Sequence, residues 1–272
     1  MGKWDSMREY RERRIEIFNN TREMYTSHPI LIESVENSIA SQRFYRADEE
    51  IIISKTSSEE VAKVFVTSKC SFAAAEPYAK AGKNVTVLNF ADYMSPGGKV
   101  LEGANAQEES LNRSSTLYPC ISDKSMLDIF YLPHRAEKGT LYSDDCIFTP
   151  EVIVFKTDEA MSKLLPESEW YRVNVITMAF PNLKYVSVET DKLEKVIESR
   201  IRKIFEVVVA NGTEVFIGGA IGCGVFKNPP ELVAAIFHKV QKEFLHNLDV
   251  IEYAIPCGRN KKNYETFMNT MM

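Results

Sequence analysis

EVFIGGAIGCGVFKNPPELVAAIFHKVQKEF, residues 214–244, holds the change of period that decides the fold. Residues 214–219 form a short apolar run without polar alternation, the pattern of a strand buried on both faces. From 229 to 245, Leu232, Val233, Ile236, Phe237, Val240 and Phe244 recur every three or four residues, as on one face of a helix. Between the two lie Gly218, Gly219, Gly222 and Gly224, four of the chain's twelve glycines. Asn228, Pro229 and Glu231 are read as the N-cap, N1 and N3 of the helix. A buried strand that feeds a glycine turn and a helix N-terminus offers N–H groups suited to a diphosphate. The spacing is not G-x-x-x-x-G-K-[ST], so a P-loop is not indicated. A tight packing turn is the competing explanation of the glycines.

The same alternation extends in both directions. Apolar runs of strand length occur at 51–54, 63–67, 84–91, 151–156, 173–180 and 250–256. Leu193, Val196, Ile197, Ile201, Ile204, Phe205 and Val208 make a helical stripe over 191–211, with Asp191 and Glu194 spaced as a capping box and Asn211-Gly212 as its stop. Residues 4–26 are rich in Arg and Glu and predict an N-terminal helix. Strands alternating with helices predict a three-layer α/β/α sandwich. The stretch 92–150 is too long for a plain connection, and insertions of that kind are often functional.

A second glycine turn lies in NFADYMSPGGKVLEGANAQEESLNRSSTLY, residues 89–118. Pro96-Gly97-Gly98 follows a strand and permits positive φ and close approach of a ligand. A helix is expected to begin near Asn105. With Asn105 as its N-cap, Glu108 is at N3 and completes a capping box; contact with a ligand is the alternative. Glu109 points about 100° away around the helix. It is either a solvated charge favoured by the helix dipole or an acid placed beside an anion-binding turn.

The chain has 272 residues, and 33 Lys and Arg against 38 Asp and Glu leave a net charge of −5. That balance argues against general nucleic-acid binding, which needs clustered cations. A small anion held by backbone N–H groups remains compatible with it. Five widely spaced cysteines and four scattered histidines form no metal-ligand pattern, and they suit reduced thiols in the cytoplasm. No apolar run reaches the ~20 residues needed to span a bilayer. Cys223 has no nearby His, so a thiolate nucleophile is not supported.

Taken together, PGG, an eight-residue spacer, QEE at Gln107-Glu108-Glu109, and GCGVF at 222–226 resemble the bacterial-type poly(ADP-ribose) glycohydrolases, a branch of the macrodomain fold. The resemblance covers almost the whole chain. It implies a three-layer α/β/α macrodomain with a mixed central sheet, residues 46–272, extended by an N-terminal helical segment, residues 1–45. It implies hydrolysis of the ribose–ribose O-glycosidic bond of poly(ADP-ribose) with release of ADP-ribose, by a monomer and without metal or cofactor. By the same resemblance Glu109 is the catalytic acid and Glu108 holds a ribose hydroxyl. Asn89 and Asp92 fall where adenosine or the distal ribose is contacted, and Gln107, Gly97 and Gly98 belong to the same substrate-binding segment. Gly219, Gly222, Cys223, Gly224 and Val225 would wrap the pyrophosphate, with Phe226 on the distal ribose.

Two positions depart from the family pattern. Lys99 replaces a third glycine, where it either strains a turn or reaches a phosphate. Asp92 stands where Asn is frequent. The competing functions are a non-catalytic ADP-ribose reader and a hydrolase of mono-ADP-ribosylated protein or nucleic acid.

Overall fold

The computed structural model describes residues 3–53, 58–137, 139, 141–184, 186–258 and 261–272. Among these, seven strands form one mixed sheet in the order β1-β4-β5-β3-β6-β7-β2. They are β1 (Arg43–Tyr45), β2 (Lys63–Thr67), β3 (Val85–Phe90), β4 (Cys146–Val154), β5 (Tyr171–Met178), β6 (Val215–Gly218) and β7 (Val250–Ala254). β5, β3, β6, β7 and β2 run parallel, and β4 and β1 are added antiparallel at one edge. The buried β3 and β6 carry the apolar residues expected of strands covered on both faces.

The helices are α1 (Lys3–Ser27), α2 (Pro29–Ser41), α3 (Ser71–Lys80), α4 (Gln107–Ser114), α5 (Leu117–Ile121), α6 (Lys124–Met126), α7 (Leu132–Ala136), α8 (Thr190–Ala210), α9 (Pro230–Gln241) and α10 (Lys262–Met271). One core joins α8, α9 and α10 to the sheet through Ile197, Ile201, Phe205, Phe237 and Phe267. The other joins α3, α4, α5, α6 and the turn that follows α6 to the opposite face through Phe72, Leu111, Leu117, Met126 and Phe130. This is the expected three-layer α/β/α arrangement. The long stretch 92–150 is mostly helical, with a π-helical turn, Leu127–Tyr131, between α6 and α7.

α1 is pinned by a buried lysine. Lys156 Nζ donates to the Ile17 carbonyl at 3.1 Å, to Asn20 Oδ1 at 2.9 Å and to Thr21 Oγ1 at 2.8 Å. Burial lowers its pKa to about 8. Thr21 Oγ1 in turn donates to the Arg113 carbonyl of α4 at 2.6 Å. The segment before residue 46 also supplies β1, so it is helical and part of the sheet at once.

Several local expectations are corrected. The run at 51–54 is not a strand over 51–53; Ile51 and Ile53 lean on the core while Ile52 is 85% exposed, and Ser54 lies outside the described residues. β4 begins at Cys146, well before the predicted 151, because a register shift between Thr149 and Val152 interrupts its pattern. α8 starts at Thr190 after Glu189, so Asp191 lies in the first turn and no side chain caps the helix. α9 has Pro229 as its N-cap and Pro230 at N1. A residue before proline is driven to extended backbone, which moves the cap from Asn228 to Pro229.

Candidate active site

The two glycine turns follow β3 and β6, which are parallel neighbours, so both emerge at the carboxyl ends of adjacent strands. A crevice at that edge is where open α/β sheets bind ligands. The strand ends touch: a Cβ on Gly219 would lie 2.7 Å from Phe90 Cζ. Tyr142 bridges the turns higher up. Its ring stacks on Tyr93 at 4.4 Å and lies 6.5 Å from Phe226. It adopts a φ of +63°, uncommon for a bulky residue. Nothing in the local sequence marked Tyr142.

The first turn is built around the two glutamates. Gly97 and Gly98 have φ of +70° and +59°. A Cβ on Gly98 would fall 2.7 Å from Glu109 Oε1 and 3.0 Å from Glu108 Oε2. Both the turn and the carboxylates therefore require glycine there. Lys99 has a φ of −107°, so the lysine brings no strain, and its N–H is directed at Glu109.

Glu108 and Glu109 open α4, and both are buried. Glu108 Oε2 accepts the Asp92 N–H at 2.7 Å, and its Oε1 lies 3.5 Å from Asn89 Nδ2. Burial pushes the Glu108 carboxyl well above the ordinary carboxylate range, and the neighbouring Asp92 and Glu109 charges add to the shift. Glu109 Oε1 accepts the Lys99 N–H, and its Oε2 accepts the Ala106 N–H, each at 3.0 Å. The carboxylate thus spans the two ends of the segment 99–106.

The capping expectation moves by one residue. Ala106 is the N-cap, so the N3 residue that reaches back is Glu109, not Glu108. Asn105 is unavailable as the cap because its Oδ1 accepts from Arg113 Nη2 at 2.8 Å. Ala106 has no acceptor of its own, so half of a capping box forms.

Several predicted residues brace the glutamates. Asn89 is fully buried, with Nδ2 3.2 Å from Thr177 Oγ1, and faces Glu108 from within the sheet. Gln107 accepts the Phe90 N–H at 2.9 Å and donates to the Leu88 carbonyl at 2.7 Å and to Ser71 Oγ at 3.0 Å. It ties α4 to the end of β3. Asp92 Oδ1 accepts the Met94 and Ser95 N–H groups at 2.7 and 2.9 Å, which shapes the turn.

In the second loop Gly222 has a φ of +74°, and its Cβ would meet Asn228 Nδ2 at 2.6 Å and Phe180 Cβ at 2.9 Å. Asn228 uses that amide to donate to the carbonyls of Pro181 and Gly222, at 2.8 and 3.1 Å. Close packing therefore demands Gly222. Gly224 is different: a Cβ there meets nothing within 4 Å. Val225 is exposed, and Phe226 is half-buried with its carbonyl accepting the Leu183 N–H at 2.8 Å. Burial raises the Cys223 thiol to about 12, which makes it inert. Among the described residues no His, Cys, Asp and Glu side chains group to hold a metal, and no helix is long and apolar enough to cross a membrane.

Comparison with known proteins agrees with this fold. No curated protein matches the chain. Among solved structures, the poly(ADP-ribose) glycohydrolase of Thermomonospora curvata is 28% identical, with 94% of this chain and 98% of that chain covered and a TM-score of 0.85. The same enzyme bound to the inhibitor ADP-HPD gives a TM-score of 0.82 at 28% identity and the same coverage. The Deinococcus radiodurans poly(ADP-ribose) glycohydrolase in complex with ADP-ribose is 27% identical over 87% of this chain and 96% of that chain, with a TM-score of 0.77. Residues 16–157, which carry both glutamates and the first glycine turn, match the model of the microbial-type PARG catalytic domain, and the chain belongs to that family.

Proposed function

We propose that this chain is a poly(ADP-ribose) glycohydrolase that cleaves the ribose–ribose O-glycosidic bond and releases ADP-ribose. The observation that carries this is the pair Glu108–Glu109, buried side by side against Gly98 in the turn after β3, while the 219–226 loop follows the neighbouring parallel strand β6. Glu109 delivers a proton to the leaving ribose oxygen as the bond to the anomeric carbon breaks. The carboxylate left behind then takes a proton from the water that attacks the oxocarbenium-like centre, which restores the acid. Glu108 holds a ribose hydroxyl, a role suited to a carboxyl that burial keeps from ionising readily. The backbone at Gly224 and Val225 approaches the pyrophosphate, and Phe226, with Tyr142 beside it, packs on the distal ribose.

Both glycine turns follow strands of the same chain, which supports a monomer. All five cysteines are free, in keeping with a reducing cytoplasm. Product analysis by mass tests the proposal, with poly(ADP-ribose) and with mono-ADP-ribosylated protein, for wild type and Glu109→Gln. Release of ADP-ribose from the polymer by wild type alone supports it. Release only from the mono-modified substrate moves the assignment to that substrate class, and binding without any cleavage makes the protein a reader.

A further inference from the structure

The segment between the glycine turn and α4 has two polar sides. Its N–H side grips Glu109 through Lys99 and Ala106. Its carbonyl side faces three arginines. Arg11 Nε donates to the Glu102 carbonyl, Arg14 Nε to the Gly103 carbonyl at 2.7 Å, and Arg113 Nη1 to the Ala104 carbonyl at 2.7 Å. Arg11 and Arg14 come from α1, which lies flush against the segment: a Cβ on Gly103 would be 2.4 Å from the Arg11 carbonyl oxygen. The peptide that receives Arg14 continues inward. The Ala104 N–H donates to the Lys99 carbonyl at 3.2 Å, and the Lys99 N–H is the one that holds Glu109 Oε1.

We propose that Arg14, on the N-terminal helix, is a positioning residue for Glu109, holding the carbonyl side of residues 99–106 so that their N–H side fixes the carboxylate. The proposal rests on Glu109 being the acid. Of the three arginines, Arg11 pairs with Glu102 in solvent, where such contacts are worth little. Arg113 is fully buried within α4 itself, so its loss would damage the helix directly. Arg14 is half-buried, belongs to a separate element and reaches the segment through a single charge-assisted hydrogen bond. A displaced general acid loses rate without losing binding, and a shift of about 1 Å can cost on the order of 10²-fold.

The test is single-turnover cleavage of poly(ADP-ribose), with KM and ADP-ribose affinity measured alongside. Arg14→Ala is expected to lower kcat by about 10- to 100-fold at unchanged KM and ADP-ribose affinity. Arg14→Lys, which keeps a charged donor, should recover most of the rate. In a Glu109→Gln background, Arg14→Ala should cost nothing further, because the group it positions has already been removed. An equal loss in both backgrounds, a loss confined to KM, or a lower melting temperature with normal kcat per folded molecule would each overturn the proposal. Should Arg14→Ala not fold, Arg14→Gln carries the same comparison. Near-normal turnover by Glu109→Gln alone would instead refute the role of Glu109, a result distinct from any outcome at Arg14.

Discussion

Gly98 and Glu109 occupy space that a single added carbon would contest, since a Cβ at Gly98 would stand 2.7 Å from Glu109 Oε1. The glycine is thus both a turn residue, at φ +59°, and one wall of the carboxylate's seat. Gly98→Ala pays a left-handed backbone cost of about 1–2 kcal/mol and displaces Glu109 as well. It should lower turnover far more than that destabilisation explains. Activity compared with melting temperature checks this; a proportionate small loss in both would show that the turn matters only for folding.

Glu109→Gln should lower turnover by ~10²–10⁴-fold, the usual contribution of general acid–base catalysis. The side chain it replaces accepts two N–H groups, from Lys99 and Ala106, and an amide has one oxygen. One donor is left without its acceptor, so the variant should also lose roughly 1 kcal/mol of stability, the scale of a lost helix cap. Single-turnover kinetics and thermal unfolding measure the two effects separately.

Glu108 gives a pH dependence of opposite sign to that of most carboxylates. Burial raises its pKa in the folded protein, so the native state binds the proton more tightly than the unfolded chain. The stability it contributes is full below the unfolded value of roughly 4.3 and is lost as pH rises through the elevated native value. Glu108→Gln cannot ionise; its oxygen keeps the Asp92 N–H while its nitrogen takes the Oε1 place beside Asn89, whose amide turns over to present Oδ1, an atom buried without a partner in the wild type. The variant should melt higher than wild type near neutral pH, and the advantage should shrink toward about pH 4. A difference that stays constant across that range would remove ionisation of Glu108 as its cause.

The two loop glycines should separate packing from binding. Gly222→Val confronts Asn228 and Phe180 and should destabilise the fold. Gly224→Val meets open space, so it should leave the melting temperature near wild type and weaken ADP-ribose binding by crowding the approach to the backbone. Calorimetry with ADP-ribose decides it: unchanged affinity in Gly224→Val would mean that the pyrophosphate lies elsewhere.

Much of this was legible because strands buried on both faces leave an unbroken apolar run, as at Val85–Phe90 and Val215–Gly218. β1 is three residues, too short for any period, and the register shift after Thr149 hid the first half of β4. The run at 51–53 has strand composition but no strand pairing, since pairing is a tertiary property. The glycine turns were readable from spacing, but spacing put the capping role on Glu108 where Glu109 holds it, and the catalytic reading of the pair came from the family resemblance. The inward roles of Asn89 and Gln107 were not readable, because a polar residue near a site reads alike whether it touches ligand or its neighbour. Arg14 and Tyr142 act across 89 and 84 residues, on Gly103 and Phe226 respectively, and no local pattern encodes such partners.

The edge of the sheet carries a last consequence. β1 covers only Cys146–Phe148 of β4, and farther along, Ser38 and Ser34 of α2 donate to the Pro150 and Glu151 carbonyls at 2.7 and 3.1 Å. Through α2 and β1 the N-terminal segment therefore covers the edge of β4 that faces away from β5. A chain trimmed of this segment would expose β4 as an unpaired template for another molecule's strand, and light scattering should find aggregates where the full chain stays dispersed.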